Sequence, residues 1–230
     1  MDMKISVLMP VYNESRTVMD VLELVKGVDL DKEIILVDDC STDGTRELLK
    51  DRFGDGKGDI RVFYHTRNKG KGAAIRTALS NATGDYVIIQ DADMEYSPED
   101  MVKLAGLAWK TGAKAVYGSR FLKTRRCTSF SHFLVNRFLT VLTNILFGGA
   151  LTDMETCYKM IRTDIMRSLD IRAKRFEIEP EITAKLLKRG YAIREVPILY
   201  RGRGYDEGKK IGWRDGVEAV WALARHRFFK

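Results

Sequence analysis

Hydrophobic residues in the first half of the chain fall into short continuous runs, separated by stretches where they recur every three or four positions. The runs KISVLMPVY, KEIILVDD, DIRVFYHT, DYVIIQ and AKAVYGSRF predict five strands. Between them, SRTVMDVLELVKG, STDGTRELLKDRF, GKGAAIRTALSNATG and SPEDMVKLAGLAWKTG predict helices. Ser15 is placed to cap the first helix and Gly27 to stop it, Gly84 ends the third, and Pro98 suits the first turn of the fourth. Strands that are apolar without alternation are buried on both faces. The order therefore predicts the α/β class, a Rossmann-like, mostly parallel central sheet with helices on both faces.

The second half has a different texture. SHFLVNRFLTVLTNILFGGAL is long and apolar, but it contains Asn136, Arg137 and Asn144. An arginine inside a bilayer is costly, so the segment is expected as an amphipathic surface or core helix, not a spanning one. METCYKMIR is expected as a short strand leading into a turn, EIEPEITAKLLKRG as a helix, and YAIREVPILYRGR as a late strand. GWRDGVEAVWALARHRFFK closes the chain as a helix. Glu177, Glu179 and Glu181 alternate on their helix; one of them is a candidate ligand contact, but such a pattern is more often solvent-facing.

Charge adds a partner class. The 230 residues carry a formal net charge of +7, which suits an anionic ligand or surface. The basic residues thicken at RFLKTRR and YRGRGYDEGKK, but not interleaved with aromatics in the manner of a single-strand nucleic-acid platform, so nucleic acid is not the expected partner. Cys40, Cys127 and Cys157 have no metal spacing and cannot all pair, which fits a reducing cytoplasm; a strand begins at once at the N-terminus, so no leader is expected. His65, His132 and His226 are scattered and show no metal spacing either.

Candidate chemistry gathers where strands end, the edge at which parallel α/β sheets bind ligands. The first strand runs into PVYNE, the second into VDDCSTDGT, the fourth into Asp91-Ala92-Asp93 and the fifth into GSRF. Asp91, Asp93 and Glu95 alternate directly after a core strand. Carboxylates that close repel unless a cation sits among them, and their oxygens suit Mg²⁺ or Mn²⁺. Asp38 and Asp39 are adjacent, more acid than a helix cap needs, since Ser41 or Asp43 can fill that role.

SVLMPVYNE, ILVDDCSTDGT, NKGKGAAIRTAL, GDYVIIQDAD and GSRF occur in the order and spacing of the large inverting glycosyltransferase family two. Within it the chain resembles the dolichyl- and polyprenyl-phosphate sugar synthases, more loosely from Asp153 to Lys210. The resemblance implies a GT-A fold across residues 1–230, with 1–121 as the nucleotide-sugar half and 122–230 as the acceptor half. It implies a nucleotide diphosphate sugar as donor, contacted by Pro10, Tyr12, Glu14, Asp38, Asp39, Lys71, Asp91, Ala92, Asp93, Arg120 and Arg203. It implies Mg²⁺ or Mn²⁺ on Asp91 and Asp93, with Glu95 where relatives often carry Gln. Catalytic roles fall to Asp153, Arg120, Arg201 and Lys210, Asp153 either as a base or as a group that positions the acceptor or a neighbouring arginine. The implied acceptor is a polyprenyl or dolichyl phosphate, reached by a cytoplasmic enzyme docked on the inner membrane face or working with a separate membrane subunit. Two competing readings are the same fold acting on a soluble or cell-surface glycan, and a nucleotide-sugar-binding subunit without turnover. A nucleotidyltransferase fits poorly, because PVYNESRT lacks the glycines of a phosphate loop.

Overall fold

The computed structural model describes residues 3–54, 56–122, 130–202 and 213–229. In chain order the elements are β1 (Ile5–Val11), α1 (Val18–Gly27), β2 (Lys32–Asp38), α2 (Thr45–Phe53), β3 (Gly56–Lys57), β4 (Ile60–Tyr64), α3 (Lys71–Ser80) and β5 (Tyr86–Ile89). They continue with α4 (Asp100–Thr111), β6 (Ala115–Ser119), α5 (Phe130–Phe147), β7 (Lys159–Arg162), α6 (Thr163–Ser168), α7 (Ile178–Lys188), β8 (Ile193–Pro197) and α8 (Trp213–Phe228).

Among the described residues the strands form one sheet in the order β3-β4-β2-β1-β5-β7-β6-β8. The core alternates as a doubly covered sheet requires. Ile5, Val7 and Met9 of β1 join Ile34 and Leu36 of β2 and Ile88 of β5 on one face, under α1 and α4. Leu8, Ile35, Val37, Val87 and Ile89 face the other side, against α3, α7 and α8.

Most pairings are parallel, as the apolar runs predict, but β7 departs from that plan. It inserts antiparallel between β5 and β6, pairing Ile88 with Met160 and Val116 with Met160. The amino end of β7 therefore lies at the same edge as the carboxyl ends of β1, β2, β5, β6 and β8. This one reversal carries residues 153–158 to the edge where the acidic loops already are.

Helix boundaries also shift. α1 begins at Val18, not at Ser15, whose N–H donates to Asp43 Oδ2 at 3.0 Å. The Thr17 hydroxyl donates to the Ala92 carbonyl at 2.7 Å, so residues 14–17 are tied sideways across the strand ends instead of capping the helix. α3 stops at Ser80, before Gly84, and α4 starts at Asp100, two residues after Pro98. Among the described residues no helix is long and apolar enough to cross a membrane.

Candidate active site

Three non-glycine residues with left-handed backbone, Asn13, Cys40 and Met94, each follow a strand that ends at this edge. Such conformations cost about 1–3 kcal/mol and persist where surrounding contacts fix them, often at binding sites. Here side chains tie the loops together. Asn13 N–H donates to Ser41 Oγ at 3.0 Å and Thr42 N–H to Asn13 Oδ1 at 2.8 Å. Glu14 N–H donates to Thr45 Oγ1 at 3.0 Å. The Asp43 carboxyl is pushed up by burial, but hydrogen bonds from the Thr45 hydroxyl and the Ser15 and Thr45 N–H groups outweigh this and hold it at about 2.

The two adjacent acids part company. Asp38 is sealed, its oxygens taking Ser41 N–H at 3.2 Å and Arg46 Nε at 2.6 Å. Asp38 is thus held by the loop after β2 and by Arg46. The Asp39 carboxylate is also buried and accepts from Lys69 N–H at 2.9 Å and Gly70 N–H at 2.7 Å, with His65 Nδ1 at 2.6 Å. It anchors the loop before α3. Pro10 ends up half-buried in β1, Ala92 is buried, and the Tyr12 ring stands partly exposed beyond the strand.

Lys71 opens α3 between two glycines. A Cβ at Gly70 would collide with the Lys174 carbonyl oxygen, and one at Gly72 with that of Ala173, so the helix end presses on backbone that only glycine tolerates. This approach aims Lys71 at the acidic loop. Its Nζ lies 2.8 Å from Asp91 Oδ1 and 2.9 Å from Oδ2. It is also 3.3 Å from Glu179 Oε1, near enough to pair but without a hydrogen bond. Burial would lower the Lys71 pKa; Asp91 and Glu179 overcome that and raise it well above the ordinary value, so the group is a fixed cation. Glu179 Oε2 in turn takes Lys159 Nζ at 2.7 Å, and Lys159, fully buried, donates to the Met154 carbonyl at 2.9 Å. Asp91, Lys71, Glu179 and Lys159 thus form a chain of alternating charge from the β5 loop to β7.

A second pair lies beside it. Arg120 donates to Asp153 through its backbone N–H at 2.9 Å, Nε at 2.7 Å and Nη2 at 2.7 Å. Burial works against this guanidinium, and Asp153 more than restores its charge. The guanidinium carbon also lies 5.1 Å from the Tyr200 ring centroid. Tyr200 is tied to the acidic loop: its hydroxyl donates to Glu95 Oε2 at 2.7 Å, and Arg201 N–H donates to the Glu95 carbonyl at 2.9 Å. The exposed Arg201 is thereby held over residues 91–95. Arg203 and Lys210 lie outside the described residues.

Asp91, Asp93 and Glu95 do not close into a ligand cage. Asp93 Oδ1 accepts Glu95 N–H at 3.1 Å, and the Glu95 carboxylate turns to Tyr200. Among the described residues no three His, Cys, Asp or Glu side chains converge as metal ligands. The donor set still fits a hard divalent ion of the Mg²⁺ type, which is held by one or two carboxylates and completed by substrate phosphates and water.

A family model described as glycosyl transferase family 2 matches residues 6–170, well over half of the chain. The chain belongs to glycosyl transferase family 2. A dolichol-phosphate mannosyltransferase of Pyrococcus furiosus is 27% identical over 231 residues, covering 97% of this chain and 62% of its own length. This chain thus spans under two thirds of that relative. An undecaprenyl-phosphate mannosyltransferase of Micrococcus luteus is also 27% identical, with 96% of this chain and 95% of the relative covered. The fold matches that of glucosyl-3-phosphoglycerate synthase from Mycobacterium tuberculosis, solved with Mn²⁺, UDP and phosphoglyceric acid. There the TM-score is 0.75 at 21% identity, over 100% of this chain and 80% of that one. The architecture is therefore GT-A.

In this family-2 chain the acids of α7 overturn the expectation of a solvent-facing stripe. Glu179 and Glu181 are buried, 4% and 2% exposed. Glu179 neutralises Lys159, while Glu181 accepts Ala173 N–H at 2.6 Å and pairs with Lys185 at 2.6 Å. Lys159 and Glu155 are residues of the site that periodicity passes over. Their signal is a charge inside the otherwise apolar TCYKMI run, and a second acid two residues after Asp153.

Proposed function

We propose that this chain transfers a hexose, with inversion, from a nucleotide diphosphate sugar to a polyprenyl phosphate. The observation that carries the reading is the meeting, at one sheet edge, of Asp91 and Asp93 with the fixed cations Lys71 and Arg120. Asp91 and Asp93 would hold Mg²⁺ or Mn²⁺ together with the donor diphosphate. When bound, such an ion offsets charge on the departing nucleoside diphosphate. An acceptor phosphate oxygen forms the new bond at the anomeric carbon as the bond to the diphosphate oxygen breaks on the opposite face. A phosphate is already ionised at neutral pH and needs no base. Asp153, with both oxygens on Arg120, accordingly works as the positioning residue for that guanidinium, and Arg120 and Arg201 draw the anionic acceptor to this edge.

Access from a membrane surface is part of the reading. The exposed apolar residues Leu134, Val135, Phe138, Val141 and Ile145 share one face of α5, and Val217, Trp221 and Phe228 share one face of α8. The two helices pack together, and Arg137, Arg225 and Arg227 are exposed on them. Apolar stripes with basic residues suit the face of an anionic leaflet.

The test is a transfer assay with GDP-mannose, UDP-glucose and UDP-N-acetylglucosamine. Each is offered with Mg²⁺ or Mn²⁺ and a short polyprenyl phosphate, and Asp91→Ala runs in parallel. Metal-dependent lipid-linked sugar that disappears in the variant is the expected result. Donor hydrolysis without lipid product would move the acceptor to a glycan. Nucleotide binding without turnover of any donor would overturn the enzymatic reading.

A further inference from the structure

Glu155 has no place in the scheme above. Its Oε1 is buried and has no hydrogen-bond partner. The only other buried side-chain oxygen in that state among the described residues is Glu179 Oε1. Buried polar atoms are almost always hydrogen-bonded, and a carboxylate oxygen left without a donor is costly. Glu179 Oε1 still faces Lys71 Nζ at 3.3 Å as an ion pair, so among the described residues Glu155 Oε1 is the one with neither hydrogen bond nor ion pair, and it points to a ligand that brings a donor.

Its position narrows that ligand. Glu155 follows Asp153 by two residues and feels the charges of Lys159, Glu179, Arg120 and Asp153, so it belongs to the same cluster as the two ion-paired chains. Glu179 Oε1 lies 3.3 Å from Lys71 Nζ, which is itself 2.8 Å from Asp91. Asp91, the carboxylate proposed at the donor diphosphate, is linked through Lys71 to Glu179, so the Glu179 carboxylate borders that site. Phosphate oxygens carry no donor for a carboxylate at neutral pH; sugar hydroxyls do.

We infer that Glu155 accepts a hydrogen bond from a hydroxyl of the transferred hexose and thereby helps to select which hexose is used. The inference rests on the donor reading above. Burial pushes the Glu155 carboxyl up to about 7, with Lys159 and Arg120 opposing and Glu179 and Asp153 adding to the shift. The acceptor form is therefore full only above neutrality, and donor KM rises as pH falls below 7.

The experiment compares the wild type with Glu155→Ala and Glu155→Gln. The substrates are the working nucleotide sugar and its 2-, 3-, 4- and 6-deoxy analogues, and binding of the nucleoside diphosphate with Mn²⁺ is measured on every protein. In the wild type, removal of one particular hydroxyl is expected to lower kcat/KM by about 10- to 100-fold. In Glu155→Ala the parent sugar suffers a loss of that order, and removing the same hydroxyl adds little more, while nucleoside diphosphate binding is unchanged. Glu155→Gln, which keeps one amide oxygen, falls between. Equal penalties for every deoxy sugar in wild type and variants, with nucleotide binding intact, would overturn the role of Glu155 and leave the donor reading standing. A wild type that binds no nucleoside diphosphate would overturn both.

Discussion

Glu155→Gln should stabilise the protein by an amount that grows as pH rises from 4.5 to about 7. The folded carboxyl titrates at about 7 against an ordinary 4.5, chiefly because of burial. At about 1.36 kcal/mol per tenfold change in proton affinity, the charged form is disfavoured by about 3 kcal/mol in the fold. The residue as a whole is half-buried, so solvent screens part of this, and about 1–3 kcal/mol is the expected range. The sign follows from linkage. Between pH 4.5 and 7 the folded chain keeps a proton that the unfolded chain releases, so stability from this group is full below 4.5 and is lost as pH rises through 7. Glutamine neither gains nor loses that proton. The variant should match the wild type near pH 4.5, pull ahead through pH 6, and hold a constant lead above pH 7.5. Urea unfolding at half-unit steps from pH 4.5 to 8.5 reads the difference directly. A lead that is the same at every pH, or that shrinks toward pH 8, would refute the assignment of an uncompensated buried carboxylate.

Arg120→Ala leaves the fully buried Asp153 carboxyl without its ion-pair partner and should cost about 3–5 kcal/mol in urea unfolding, whereas Arg120→Met with Asp153→Leu should recover most of it. Tyr200→Phe removes the 2.7 Å bond to Glu95 and should cost about 1–2 kcal/mol; faster amide exchange at residues 199–201 would locate the loss. Gly72→Ala drives a methyl into the Ala173 carbonyl and should cost about 1–3 kcal/mol while displacing Lys71. Gly106→Ala, in open space on α4, should instead gain up to about 1 kcal/mol, and thermal melts of the pair separate crowding from helix propensity.

The contrast between those two glycines is also the contrast between what sequence discloses and what it conceals. SVLMPV, IILV and YVII announce strands because a strand buried on both faces has no polar alternation to blur its ends. GKG before an amphipathic run announces a helix start, yet nothing local says that its backbone must clear residues 173–174. The position of β7 is hidden for the same reason. A strand's neighbours are set by pairings some seventy residues apart, and KMIR has the same pattern whether it lies parallel at an edge or antiparallel in the middle. Acid loops after strands were legible because strand ends are local features, and Asp91, Asp93, Arg120 and Asp153 do meet at one edge.

Lys159 and Glu179 illustrate the harder limit. Each looks like a surface residue in its own window, because a buried charge is recognisable only with its partner. A buried ion pair contributes little net stability compared with an apolar pair of similar shape. The alternating chain from Asp91 to Lys159 is therefore hard to explain as a device for holding the fold together. It is easier to explain as a device for holding charges in place. Lys71 compensates the loop carboxylate Asp91 at the sheet edge, and Lys159 and Lys71 hold one oxygen each of Glu179. In the same cluster Arg120 compensates Asp153 within 3 Å, at 2.7 Å. Among the described residues Glu155 has no such paired cation, and an acid that the fold leaves unmatched among ion-paired neighbours is the group with an interaction still to make.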